Sequence, residues 1–213
     1  MIQVFTKVLN NTELGEGSTH DCYVHVSTNA INMNTFFDEK NMSPHLIDKI
    51  TKKTVPGEIH ITKNREFRIN GLGQYYTEKE ACAGDKISFE KKAINGKTQF
   101  YVLILKENKA VTYLKKGDGF ENLNPDRILE PKLNNPYVCN GIYKNAKTKI
   151  EIIFKEAKKI RKDSTKETNL YLLKANGEDL AEAYKTNDRL TLTDVNGLKT
   201  LTQTQSWEWI ELS

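Results

Sequence analysis

NNTELGEGSTHDCYVHV at residues 10–26 and ITKNREFRINGLGQYY at residues 61–76 decide the fold that we predict for this chain. Each stretch joins a polar loop, glycine-rich in the first and basic in the second, to a strand in which apolar and polar residues alternate. Loops supported by strands can present hydrogen-bond donors and acceptors to a ligand. The pair therefore predicts a β framework that carries two polar loops.

The first half of the chain is predicted to be mostly antiparallel β-structure. Runs of β-branched and aromatic residues indicate strands at 2–9, 22–28, 57–62, 65–70, 86–92 and 98–105. Asn95-Gly96 predicts a tight hairpin turn between the last two strands. Residues 35–53 are predicted as two helical pieces broken at Pro44, and the apolar side of the second, with Leu46 and Ile50, is expected to close one end of a barrel.

The second half repeats these patterns, with strands predicted at 140–144, 148–154, 170–177 and 189–212. The intervening residues 106–136 are polar and rich in Pro and Gly, which is typical of an interdomain connection. We predict a mainly β (α+β) protein with short helices. Its predicted parts are a first domain at 1–110, a linker at 111–135 and a small β-rich domain at 136–213. Five aromatic residues are expected in the second core: Tyr137, Tyr143, Tyr171, Trp207 and Trp209.

The composition indicates a folded protein with a charged surface. Of the 213 residues, 38% are hydrophobic and 28% are charged, and the net charge of +4 is too small to identify a partner. Cys22, Cys82 and Cys139 have no metal-ligand or disulfide spacing, so a reducing cytoplasmic location is expected. No run approaches the roughly 18 apolar residues of a membrane span, so neither export nor a membrane partner is expected.

The first loop is rich in side chains that donate or accept hydrogen bonds. Asn can bind an adenine edge through paired hydrogen bonds, and Ser, Thr and His can reach bases or phosphates. Glycines let the backbone approach a ligand closely. An ordinary surface loop is the alternative interpretation. The candidate DNA-binding residues of this loop are Asn10, Asn11, Thr12, Ser18, Thr19 and His20.

The second loop is basic and leads into a strand. Strand alternation puts polar side chains on both faces of its first residues, which a buried strand does not tolerate. Arg65 or Arg68 could bridge the two acceptors of a guanine or hold a phosphate. The alternative is a set of cross-strand ion pairs on an exposed strand. The candidate residues here are Lys63, Asn64, Arg65, Glu66, Arg68 and Asn70.

NTELGEGSTHDCYVHVS at 11–27, followed by FRINGLGQYYTEKEACAGDKISFEKK at 67–92, resembles the effector-binding domain of the EcoRII family of type IIE restriction endonucleases. The shared pattern is a Gly/Thr-rich loop, a His, an alternating strand and an Arg-Ile-x-x-x-Gly segment. That family belongs to the plant B-three class of DNA-binding pseudobarrels, and the resemblance covers about residues 7–92. Residues 1–110 are therefore expected to form a B-three-like pseudobarrel.

The resemblance implies two arms that grip the major groove of double-stranded DNA. The N-arm (residues 10–21) would use Asn10, Thr12, Ser18, Thr19 and His20. The C-arm (residues 63–68) would use Lys63, Asn64, Arg65, Glu66 and Arg68. Related domains are specificity arms of restriction systems, including McrB-like ones, so a GTPase or ATPase region and a nuclease subunit are implied partners. This sequence has Ser18-Thr19 where the family usually has paired glycines, and His25 where the family has an aromatic residue. The base preference of the family therefore cannot be transferred to this chain.

Two other functions remain as alternatives. Pro125, Asp126, Glu130 and Lys132 imitate a metal-dependent nuclease pattern, but they lie in a predicted linker rather than on paired strands. A related version of the nuclease would use Asp85 with Asp126 and Glu130. An RNA-binding protein with tandem barrels is the other alternative. We expect no catalytic site and no cofactor, because neither a dinucleotide fingerprint nor a phosphate-binding loop is present.

Residues 155–168 form the most charged run, with six basic and three acidic side chains. Runs of this kind are typical of a solvated loop or of an exposed helix face, which is the structure we predict here. The functional alternative is a strip that contacts phosphates without sequence preference.

Overall fold

The computed structural model describes residues 2–16, 21–26, 36–37, 43–63, 66–124, 135–159 and 167–212. The chain divides into two compact units. The first unit is Met1–Lys106 with Ser206–Ser213, and the second is Glu107–Gln205.

The described residues of the first unit include two β-sheets and a short α-helix. Its described elements are β1 (Ile2–Val8), β2 (Tyr23–Val26), β3 (Leu46–Asp48), β4 (Thr54–Val55), β5 (Glu58–Ile61), β6 (Phe67–Asn70), α1 (Gly73–Glu78), β7 (Lys86–Ile94), β8 (Lys97–Leu105) and β17 (Trp207–Leu212). One sheet has the order β17-β1-β7-β8-β3-β4 and the other has the order β2-β6-β5. The prediction of a mainly β fold is confirmed.

Strand alternation builds the core of the first unit. Phe5 on β1 and Phe89 on β7 are paired across the ladder and buried, with Val102 of β8 beside them on the same face. Burying a side chain of this size contributes about 1.5–3 kcal/mol. Asn95 and Gly96 both have positive φ angles, 51° and 74°, so the predicted hairpin turn is confirmed.

The helix predicted after Pro44 is wrong. Leu46–Asp48 is β3, which pairs in parallel with β8, and Ile50 is 70% exposed instead of plugging a barrel. The buried carboxylate of Asp48 explains the difference, because it accepts hydrogen bonds from the backbone N–H groups of Ile50 and Thr51 and so holds a tight turn after the strand. Tertiary pairing has overridden the helical spacing. The first piece, 35–42, lies outside the described residues except for Phe36 and Phe37, which are buried in the core.

The second unit is a closed β-barrel. Its described strands are β9 (Ala110–Lys116), β10 (Gly119–Asn122), β11 (Tyr137–Tyr143), β12 (Ala146–Lys159), β13 (Glu167–Ala175), β14 (Glu178–Asp179), β15 (Arg189–Val195) and β16 (Leu198–Thr204), with a 3₁₀ turn at Ala181–Ala183. The order is β10-β9-β15-β16-β11-β12-β13-β14, and pairing of β10 with β13 closes a ring of seven strands.

Two features of the predicted domain plan are wrong. Residues 111–124 are not linker, because β9 and β10 belong to the closed barrel. Trp207 and Trp209 do not fill the second core, because β17 pairs with β1 and both indoles pack against the core of the first unit. Tyr171 is buried in the second core, and Tyr137 and Tyr143 pack against it, as predicted.

Within these described ranges, no α-helix combines the length and the apolar character needed to cross a bilayer.

Candidate functional site

The N-arm begins with a single hydrogen-bonded turn. Asn10 caps this turn, since its Oδ1 accepts a hydrogen bond of 3.0 Å from the backbone N–H of Glu13. The backbone N–H groups of Gly15 and Glu16 then bond to the carbonyls of Thr12 and Asn11. Leu14 forms an antiparallel β-bridge with Cys22, which brings the two described sides of the arm together.

A buried ion pair anchors this arm to β2. Lys7 on β1 donates to a carboxylate oxygen of Glu13, and the two side chains are only 7% and 1% exposed. The same carboxylate accepts a 2.9 Å hydrogen bond from the backbone N–H of His25, while Lys7 donates to the His25 carbonyl. The backbone N–H and carbonyl of His25 are thus satisfied by two charged side chains.

The C-arm starts in the tight hairpin loop between β5 and β6. Thr62 and Glu66 close the loop, with a 2.9 Å hydrogen bond from the Thr62 N–H to the Glu66 carbonyl and one of 3.1 Å from the Glu66 N–H to the Thr62 hydroxyl. Lys63 is exposed in this loop.

Both arms connect to the three-stranded sheet, at opposite ends of one ladder. β2 pairs antiparallel with β6 through four residue pairs, from Tyr23 opposite Asn70 to Val26 opposite Phe67. The N-arm enters at Tyr23 and the C-arm continues into Phe67. Three steps along a strand separate these points by about 10 Å. The arms therefore flank a short sheet rather than leaving it side by side.

The outer face of that sheet is polar. Val24 and Ile69 point inward and are fully buried, so the alternate residues face away from the core. The outward residues are Tyr23 and His25 on β2, Arg68 and Asn70 on β6, and Glu58 and His60 on β5. We call this set the floor.

Arg68 lies at the centre of the floor. Its Cζ is 4.6 Å from the centre of the Tyr23 ring, a cation–π contact, and its Nη2 is 3.5 Å from Oε2 of Glu66. His25 is its cross-strand neighbour, with Nε2 3.9 Å from the same carboxylate. The arginine side chain is thus held against an aromatic ring, with a third of it exposed.

Two nitrogens of the floor have unused hydrogen-bonding capacity. Among the described residues, the buried side-chain nitrogens without a hydrogen-bond partner include Nε2 of His25 and Nε of Arg68. Burial lowers the pKa of His25, and the charge of Lys7 lowers it further, so the imidazole is neutral near pH 7. A neutral imidazole has one donor and one acceptor nitrogen. Unpaired buried polar atoms of this kind are uncommon in folded proteins.

The predicted site residues separate into three groups. Ser18, Thr19, His20, Asn64 and Arg65 lie outside the described residues. Asn10, Asn11, Thr12, Lys63 and Glu66 lie in the described parts of the two loops, and Arg68 and Asn70 lie on the floor. The prediction omitted Tyr23, His25 and His60. Alternation in YVHV and EIHI placed these three on polar faces, but nothing in the sequence indicated that β2, β5 and β6 share a sheet.

The metal-site residues of the nuclease alternative are described only in part. Asp85 is buried, accepts a 2.9 Å hydrogen bond from the backbone N–H of Cys82 and lies 3.2 Å from Nζ of Lys106. Pro125, Asp126, Glu130 and Lys132 are outside the described residues. In the part of the chain that the structure describes, no three His, Cys, Asp or Glu side chains are grouped so that they could hold a metal ion.

Comparison of the chain with protein-family models gives no match, and comparison with curated proteins gives none either. The function is therefore inferred from the geometry and the residue chemistry.

Proposed function

We propose that this chain is a sequence-specific double-stranded DNA-binding protein, the target-recognition part of a restriction-modification system. The observation that carries the proposal is the floor, a polar sheet face with a partly exposed arginine, from whose opposite ends the two arms leave. A duplex lying on the floor would meet one arm on each side.

Arg68 is the residue of the floor best suited to read a base. A guanidinium can donate two hydrogen bonds to O6 and N7 of guanine, the commonest specific contact in the major groove. Stacking on Tyr23 and pairing with Glu66 restrict its motion before DNA arrives, so less conformational entropy is lost on binding. Neutral His25, beside it on the ladder, can complement either a donor or an acceptor on a base edge.

The arms then have different roles in the proposal. Asn10 already uses its side-chain oxygen to cap the first turn, so its role is to position the N-arm. Asn11, Thr12, Ser18, Thr19 and His20 are the proposed N-arm contacts. In the C-arm, Lys63 would contact a phosphate and Asn64 and Arg65 would reach base edges. Asn70 would contact the duplex from the floor.

We also propose that the first unit is a B-three-like pseudobarrel. A pseudobarrel is interrupted at some point around its wall, and the Lys7–Glu13 pair supports this interpretation. β1 is paired on both sides, by β17 and β7, and side chains rather than a backbone ladder connect it to β2. A GTPase or ATPase region and a nuclease subunit of the same system would be the partners of this chain.

Selection of binding sites from random duplexes tests the proposal. Specific sites are expected to bind about a thousandfold or more tightly than random duplex, as site-specific proteins do. A preference below about tenfold would contradict the proposal.

Substitution of Arg68 tests the role of the floor. Arg68→Ala is expected to weaken binding to the selected duplex by about 1–3 kcal/mol. Arg68→Lys keeps the charge but not the paired donors, so it is expected to lose discrimination while retaining affinity for random duplex. Lys97→Ala, which removes an exposed charge from β8 of the same unit, is the matched control and is expected to change neither value. Tryptophan fluorescence verifies that each variant is folded.

Two measurements separate the alternative functions from this one. Incubation with plasmid and magnesium is expected to give no cleavage, and cutting would favour the metal-dependent nuclease. Competition between duplex DNA and single-stranded RNA is expected to favour the duplex, and the reverse order would favour the RNA-binding protein.

A further inference from the structure

Two strands of the second unit continue as a pair past the described ladders with their other neighbours. β11 covers β12 only from Ala146 to Ile152, and β10 covers β13 only at Leu170 and Tyr171. The pairing of β12 with β13 nevertheless continues to Lys159 opposite Glu167. Residues 157–159 and 167–169 thus form a two-stranded extension, which we call the basic ribbon.

This extension corrects the prediction of a solvated loop or helix face for residues 155–168. The described residues of that run are paired β-strand, and a register shift between Phe154 and Glu156 marks a β-bulge where the strand leaves the barrel. A bulge bends the strand and increases its twist, so it changes the direction of the ribbon. The high charge concealed the strand because the apolar alternation ends at Phe154.

The charges of the ribbon are arranged on both of its faces. Lys158 and Lys159 are exposed neighbours, so alternation puts one on each face. Lys155, at the bulge, is instead paired with Asp118 at 2.5 Å. Glu167 is the one acidic residue of the described ribbon and lies opposite Lys159, and the Thr168 hydroxyl donates a 2.7 Å hydrogen bond to Glu121 of β10. Lys158 and Lys159 against Glu167 leave the described ribbon with a net charge of +1.

We propose that the basic ribbon is a second DNA-binding element, which contacts phosphates without sequence preference. A two-stranded ribbon has the width of the major groove of B-form DNA, and a lysine on each face can approach the phosphates of either wall. Lysine neutralises phosphates as a flexible point charge and releases their counterions. The ligand class rests on the proposed function, but the ribbon contributes affinity rather than base recognition.

The test measures the salt dependence of binding to random duplex. The variant is Lys158→Gln with Lys159→Gln, and fluorescence anisotropy of a labelled random duplex is recorded over a series of NaCl concentrations. The matched control is Lys147→Gln with Lys185→Gln, which removes the same charge from exposed positions of the same unit, Lys147 being at the other end of β12. Thermal unfolding verifies that both proteins are folded.

Each neutralised phosphate contributes about 0.9 to the slope of log K against log salt, so the removal of two phosphate-binding lysines should reduce the slope by about 1.8. Between 1 M and 0.1 M salt, the affinity of the unmodified chain should therefore rise about 60-fold more than the affinity of the ribbon variant. The control is expected to keep the slope of the unmodified chain.

The outcomes distinguish the two proposals. Equal slopes for the ribbon variant and the unmodified chain would overturn the proposal that the ribbon binds DNA. Equal reductions of the slope in the ribbon variant and the control would show that net charge alone causes the effect, which would also overturn that proposal. A chain with no preferred sequence, whose random binding still depends on the ribbon, would contradict the proposed function alone. Preferential displacement of duplex by single-stranded RNA, or no binding to duplex, would overturn both.

Discussion

Loss of the Glu13 carboxylate is expected to destabilise the first unit strongly. Glu13→Ala leaves the buried ammonium of Lys7 without its counter-charge, and removal of one partner of a buried pair costs about 3–5 kcal/mol. It also removes the acceptor of the His25 N–H, and an unsatisfied buried donor costs about 1–3 kcal/mol. Since domains are stable by only about 5–15 kcal/mol, this is a large fraction of the total.

Urea unfolding followed by tryptophan fluorescence measures this loss. The chain has two tryptophans, Trp207 and Trp209, and both pack against the first core, so the signal reports on the first unit. A double-mutant cycle with Lys7→Met and Glu13→Gln isolates the pair. The double variant should lose about 2 kcal/mol less free energy of unfolding than the two single variants together, because it leaves no unpaired charge.

The opposite result is equally well defined. Exposed ion pairs contribute about 0–1 kcal/mol. If Glu13→Ala costs less than that, or if the cycle gives no coupling, water reaches the pair in solution. The reasoning that the pair holds the N-arm to β2 would then be wrong.

Three further predictions concern other parts of the molecule. Burial makes the pKa of His25 lower in the folded chain than in the unfolded chain, so the folded protein binds this proton less readily. The free energy of unfolding should therefore fall as the pH drops below about 6.5. In urea titrations at several pH values, His25→Phe should reduce that fall. Burial alone would raise the pKa of Asp48, but hydrogen bonds from Lys79, the Thr51 backbone and Tyr75 hold that pKa well below its usual range. Asp48→Asn should therefore lower the free energy of unfolding by about 2 kcal/mol at pH 7 and by less in acid, as measured by urea unfolding. A methyl group at Gly141 would lie 2.6 Å from the Lys199 carbonyl oxygen, so Gly141→Ala should cost about 1–3 kcal/mol in thermal unfolding followed by tyrosine circular dichroism.

Local patterns predicted most strands but not their partners. Alternation located β7 and β8, and Asn95-Gly96 joined them because both residues tolerate positive φ angles. The same alternation placed Trp207 and Trp209 on one face of the last strand. It could not indicate which sheet that strand joins, since pairing with β1 is a contact between the two ends of the chain.

Other errors arose where tertiary contacts outweigh local preference. Leu46 and Ile50 have helical spacing, yet pairing with β8 and the turn held by Asp48 make the segment a strand followed by a loop. The candidate site was predicted in the same uneven way. Arg68 was identified because it follows a polar loop on a predicted strand and its guanidinium can bridge two acceptors, whereas Tyr23 became relevant only once β2 was seen to lie beside β6.

The return of β17 to β1 determines when the first unit can be completed during synthesis. Its sheet lacks an edge strand until residues 207–212 have emerged from the ribosome, after the whole barrel of the second unit has been translated. A nascent or truncated chain ending near residue 106 would present the hydrogen-bonding edge of β1 and the apolar surface normally covered by Trp209. Such a fragment is expected to aggregate. Because residues 107–205 lie between the two segments of the first unit, the second unit is synthesised before the first unit can be completed.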